Sequence, residues 1–66
     1  MSRQTFRNKW IWITGASSGI GRALTLEFAK KGSNLIVSSR KEKDLNVVAH
    51  ECERHGVQVL VQVIDL

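Results

Sequence analysis

Thr14-Gly15-Ala16-Ser17-Ser18-Gly19-Ile20-Gly21 is the stretch on which the fold turns. Ahead of it lies a short apolar run, Trp10-Ile11-Trp12-Ile13, within Lys9 to Thr14. The run is too short for a helix and stops at a glycine, so it predicts a buried strand. Alternation sends Trp10 and Trp12 to one side of that strand and Ile11 and Ile13 to the other. Behind the glycines, Arg22 to Lys31 reads as a helix. Ile20, Ala23, Leu24 and Phe28 recur at helical spacing and predict its inward face, with Glu27 at the edge of that stripe. Gly32 is placed to end the helix in the left-handed conformation. The unit is therefore strand, glycine-rich turn, helix.

The same alternation continues downstream. Asn34-Leu35-Ile36-Val37-Ser38-Ser39 predicts a second strand, and Arg40 or Lys41 to His55 a second helix. Leu45, Val48, Ala49 and Cys52 form an i, i+3, i+4, i+7 stripe along it. Glu42 and Asp44 fall in its first turn and Arg54 and His55 in its last, as the helix dipole favours. Gly56 ends it. Val57 to Ile64 predicts a third strand, with Asp65 and Leu66 at its end. Gln58 and Gln62 share one of its faces, which predicts a strand less buried than the second. Strands alternating with helices imply parallel strands joined by right-handed crossovers. The expected fold is α/β, the N-terminal βαβαβ half of a Rossmann-type doubly wound parallel sheet. Residues 1–8 form a polar arm before it, and residues 9–66 the half-domain.

Composition narrows the partners. A chain of 66 residues holds one small domain, and a domain of that size buries only about 60% of its unfolded surface. Cys52 is the single cysteine, so no intrachain disulfide forms, and a lone thiol suits a reduced compartment. Ten Lys and Arg against six Asp and Glu give a net charge of +4. The cations are scattered rather than massed on one face, which argues against a nucleic-acid partner and suits a polyanionic small molecule. No apolar stretch approaches the length of a membrane span or a signal peptide. The expectation is a cytoplasmic protein with no membrane partner.

A glycine turn between strand and helix suits a diphosphate. The helix start offers unpaired N–H groups and a partial positive charge. In this reading Gly15 turns the chain off the strand, Gly19 lets the backbone close on the diphosphate, and Gly21 lets the helix pack close to the strand. A nucleoside-triphosphate loop needs Gly-Lys followed by Ser or Thr, and this one ends Gly21-Arg22-Ala23. The spacing Gly-x-Gly-x-x-Gly fails as well, because Leu24 stands where its third glycine belongs. What remains is Thr14-Gly15-x-x-x-Gly19-x-Gly21.

That octapeptide resembles, letter for letter, the cofactor loop of the short-chain dehydrogenases/reductases. The resemblance runs on through Arg22-Ala23-Leu24, Phe28-Ala29, Gly32 and Ser39-Arg40 to Asp65-Leu66. It implies that Gly15, Ser17, Ser18, Gly19, Ile20 and Gly21 hold a nicotinamide dinucleotide, with Asp65 and Leu66 against the adenine. It also implies hydride exchange between nicotinamide and a small alcohol or carbonyl substrate. In these folds the end of the second strand reads the adenosine ribose, where an acid would repel a 2′-phosphate. Ser39 carries no such charge, and Arg40 offers a fork of donors that fits a phosphate. NADP(H) is therefore the expected cofactor.

The family's acid–base residues are a serine, a tyrosine and a lysine, the last two in a Tyr-x-x-x-Lys motif. This chain contains no tyrosine. No catalytic residue is assigned, and the chain by itself is expected to be inactive. The rival expectation is a non-catalytic nucleotide-binding or interaction fragment. In the family's sheet the first strand is central and pairs with a fourth strand. Without it, an edge beside Trp10 and Trp12 invites another chain, so self-association into a homo-oligomer, or else a loosely packed monomer, is expected. His50-Glu51-Cys52-Glu53-Arg54-His55 is dense in possible metal ligands, but its histidines sit roughly 140° apart round a helix, and no metal site is assigned.

Overall fold

The structure is a computed structural model that describes residues 7–64. Of the expected arm at residues 1–8, residues 1–6 lie outside the described residues, as does the expected adenine pair, Asp65 and Leu66; Asn8 N–H donates to the Gly32 carbonyl at 3.0 Å. Five elements follow in order: β1 (Trp10–Thr14), α1 (Gly19–Lys30), β2 (Asn34–Ser39), α2 (Glu42–Glu53) and β3 (Val59–Val63). The strands form one parallel sheet in the order β1-β2-β3. Trp10 stands beside Asn34 and Thr14 beside Ser38, while Leu35 stands beside Val59 and Ser39 beside Val63. The βαβαβ half of a Rossmann-type sheet is thus the observed architecture.

The register puts one row of side chains against both helices. Leu35 and Val37 of β2 are fully buried there, with Ile11, Ile13, Val59 and Val61 packed alongside. β-Branched residues fill this row, as a pleated, covered surface favours. The other face is bare: Trp10 is 47% exposed, Trp12 60% and Leu60 51%. Trp12 still finds a polar partner, since its Nε1–H donates to Ser38 Oγ at 3.1 Å. Among the described residues β1 pairs only with β2, so its outer edge offers open backbone groups.

α2 buries the stripe its sequence predicts: Leu45, Val48, Ala49 and Cys52 are all buried. It is shorter than expected at both ends. Lys41 has φ −98° and ψ 89°, outside the helical region, and the helix closes at Glu53 with Arg54 as its cap. Gly32 and Gly56 take positive φ, +87° and +82°, just past the two helices. α1 departs further from expectation. It begins at Gly19 rather than Arg22, and its buried residues are Thr25 and Ala29. Ile20 and Leu24, expected to face inward, are 80% and 47% exposed. Ala23 is exposed too, and only Phe28 of that stripe packs against the core. The reason lies in close approach. Gly21, Thr25 and Ala29 share a line at i, i+4 and i+8, and small side chains let α1 come down on the loop, α2 and the sheet. A stripe of larger apolar residues marks a different face.

Where the helices meet, Cys52 Sγ lies 3.9 Å from the Thr25 carbonyl oxygen. Burial, with smaller contributions from Glu51 and Glu53, pushes the Cys52 thiol from its ordinary 9.0 up to about 11. Below pH 9.0 the thiol is neutral whether the chain is folded or not. Between 9.0 and about 11 the unfolded chain gives up this proton and the folded chain keeps it, so stability falls as pH rises through that window. Urea unfolding of wild type and Cys52→Ala across the window should show the steeper loss in wild type. Parallel curves would mean that the thiol is not held neutral by the fold.

Candidate functional site

The site forms where β1 and β2 end side by side. Gly15 leaves β1 with φ +65°, a conformation costly for residues with a Cβ. Ala16 is fully buried, and its N–H donates to the Ser38 carbonyl at 3.1 Å, tying the loop to the end of β2. Ser18 is extended at φ −157° and makes no side-chain cap. The first helical bond is Arg22 N–H to Ser18 O at 3.3 Å. The N–H groups of Gly19, Ile20 and Gly21 therefore have no partner among the described residues, and they stand at the positive end of α1.

The three glycines serve different ends. A Cβ on Gly21 would lie 2.1 Å from the Gly15 carbonyl oxygen and 2.9 Å from its carbon. Gly21 is what lets α1 seat on the loop. Gly19 has φ +60°, and a Cβ there would meet nothing within 4 Å. Its constraint is conformational, and the space before it is open.

A cleft of about 600 Å³ runs from this loop to the start of α2, within the usual size of a small-molecule site. Thr14, Gly15, Ser17 and Ser18 line it from the β1 side. Ser38, Ser39, Arg40 and Lys41 line it from the β2 side. Ser39 Oγ accepts the Lys41 N–H at 2.9 Å, which pins the turn carrying Arg40. The charged residues of the cleft are both cationic, Arg40 and Lys41. Neither makes an ion pair among the described residues, whereas Arg22 is held by Glu51 at 2.6 Å.

Of the residues singled out in the sequence, Gly15, Ser17, Ser18, Ser39 and Arg40 meet in this cleft. Gly19 opens instead on a neighbouring groove with Arg22 and Asp44. Gly21 sits behind the loop, and Ile20 turns its side chain to solvent. Four lining residues escape the sequence reading: Thr14, Ser38, Lys41 and Ile64. Thr14 and Ser38 are register partners, so strand pairing joins what lies 24 positions apart in the chain. Lys41 is marked only by following Arg40. Among the described residues, no three His, Cys, Asp or Glu side chains gather to hold a metal, and no helix is long and apolar enough to cross a membrane.

Residues 9–66 match the family model for short chain dehydrogenase. The chain belongs to the short chain dehydrogenase family. Among its curated relatives is the very-long-chain 3-oxoacyl-CoA reductase of Mycosarcoma maydis, 43% identical over 61 residues. That alignment covers 89% of this chain and 17% of the relative. Two solved structures carry the likeness into three dimensions. A short-chain dehydrogenase from Sphingobium yanoikuyae in complex with NADPH is 36% identical with a TM-score of 0.84, covering 88% of this chain and 23% of that one. An NAD⁺-bound xylitol dehydrogenase is 27% identical with a TM-score of 0.86, covering 91% and 23%. Structures in this family thus hold either nicotinamide cofactor. This short chain dehydrogenase sequence spans less than a fifth of the length of the curated relatives it matches.

Proposed function

We propose that residues 9–66 are the NADP(H)-binding half-domain of an oxidoreductase acting on an alcohol or carbonyl compound. The observation that carries this reading is the charge pattern along one cleft. Gly15, Ser17 and Ser18 of the loop line it on one side and Arg40 with Lys41 on the other, with no acid among the lining residues; the unpaired N–H groups of Gly19, Ile20 and Gly21 follow Ser18 directly in the chain, and Gly19 lines the neighbouring groove that Ser17 and Ser18 share. The residues present fit the cofactor in type. Backbone donors at a helix start suit a diphosphate. Ser17, Ser18 and Ser39 offer hydroxyls to the ribose or its phosphate. Arg40 offers a planar fork for the 2′-phosphate. When bound, the nicotinamide supplies the hydride chemistry; these residues bind and orient it. None of the chain's own side chains is given an acid–base role, and it has no tyrosine to inherit one.

Cofactor choice follows from the end of β2. A hydrogen bond to a charged group is worth about 1.5–3 kcal/mol net, which is about a ten- to hundredfold preference. Calorimetric titration should therefore give tighter binding of NADPH than of NADH by about that factor. Arg40→Asp puts a negative charge where the 2′-phosphate would sit and should reverse the order. Equal affinities for the two cofactors in wild type would overturn the reading.

A further inference from the structure

We propose that Trp12 is a positioning residue for the cleft, holding the end of β2 in place through its indole N–H; this rests on the reading of the cleft as a dinucleotide site. Its Nε1–H donates to Ser38 Oγ at 3.1 Å, across 26 positions of the chain. Trp12 stands beside Ile36 in the sheet. The bond to Ser38 therefore runs diagonally, toward the end of the strands where the cleft opens, a reach open to aromatic side chains. Thr14 and Gly15 follow Trp12 in the chain, Ser39 and Arg40 follow Ser38, and these four line the cleft with Ser38.

Ser38 is the joint between these pieces. It is buried, its hydroxyl accepts the indole N–H, and its carbonyl accepts Ala16 N–H at 3.1 Å. One residue of β2 is thus held by a side chain of β1 and by the backbone of the loop. Side chain and carbonyl share one residue, so a hydroxyl that turns disturbs the carbonyl that holds the loop. A buried hydroxyl stripped of its partner is costly, which keeps Ser38 in the arrangement that meets the indole. Trp12 itself is mostly exposed, so burial alone does not account for a tryptophan there. An indole donates and does not accept. Phenylalanine at this position keeps the ring and loses the bond.

Calorimetric titration of the full chain with NADPH and NADH compares wild type with Trp12→Phe, Ser38→Ala and the double variant. Each single variant should weaken both cofactors by about two- to tenfold, the scale of one neutral hydrogen bond. The double variant should lose no more than the larger single loss, because both changes remove the same bond. Losses that multiply would overturn the proposal, as would wild-type affinity in Trp12→Phe. A second measurement separates positioning from stability. Trp10→Phe leaves Trp12 as the sole tryptophan, and NADP⁺ does not absorb in the range where tryptophan emits. Saturation with NADP⁺ should change the Trp12 emission, and adding Ser38→Ala should abolish that change while NADP⁺ still binds. Emission indifferent to NADP⁺, or a response that survives Ser38→Ala, would also overturn it. A wild type that prefers NADH, with the same loss for both cofactors in Trp12→Phe, sinks the NADP(H) reading and leaves Trp12 in its role. A chain that binds neither cofactor overturns both.

Discussion

Gly21→Ala is expected to disrupt the fold, not merely the loop. Its Cβ would lie 2.1 Å from the Gly15 carbonyl oxygen, far inside van der Waals contact. Both partners are backbone, so no rotamer change relieves the clash. Either α1 lifts from the loop or Gly15 moves out of its turn. Lifting α1 takes Thr25 and Ala29 off the core. Overpacking costs about 1–3 kcal/mol where side chains can adjust, and here they cannot, so the cost should reach or pass the upper figure. A chain of 66 residues has about 3–10 kcal/mol of stability in all. We expect a large drop in the urea midpoint and a weakened helical circular-dichroism signal. A midpoint equal to wild type would show that α1 does not need to sit so close.

Gly19→Val should have the opposite profile: cofactor binding lost, fold kept. At φ +60° a β-branched residue is strained, by about 1–3 kcal/mol, but its Cβ would meet no atom of the chain within 4 Å. The space it fills is the approach to the unpaired N–H groups. Affinity for NADPH should fall by more than about a hundredfold, the scale of losing two charge-assisted bonds, while the helical signal stays near wild type. Gly19→Asn separates strain from obstruction, because asparagine tolerates left-handed φ. Its stability should lie nearer wild type, with binding still impaired. Unchanged NADPH affinity in Gly19→Val would remove Gly19 from the site.

The order of elements was legible because each has one dominant period. α2 shows this best: Leu45, Val48, Ala49 and Cys52 were readable as its buried face, and all four are buried. α1 was not legible in the same way. Periodicity weighs large apolar residues, and in α1 the buried residues are the small Thr25 and Ala29, with Leu26 and Phe28 packed beside them, while Ile20 and Leu24 look outward. Hydrophobicity alone does not reveal a contact made by small residues. At the site, Gly15, Ser17, Ser18, Ser39 and Arg40 could be named from motif and strand end. Thr14 and Ser38 could not, because only the parallel register lays one beside the other. The different tasks of Gly19 and Gly21 emerge only in three dimensions, since both are the same letter in one motif.

The bond from Ala16 N–H to the Ser38 carbonyl, 3.1 Å long, has a thermodynamic consequence. It makes the loop and the end of β2 one mechanical piece, so neither can shift without the other. Residues in such a shared network do not contribute independent free energies. A change at Ser17 or Ser18 is therefore expected to be felt at Ser39 and Arg40 even without ligand. Affinity losses from single substitutions at the two ends of the cleft will therefore not sum to the loss in the double variant. The size of that discrepancy is the interaction energy between the two ends of the cleft.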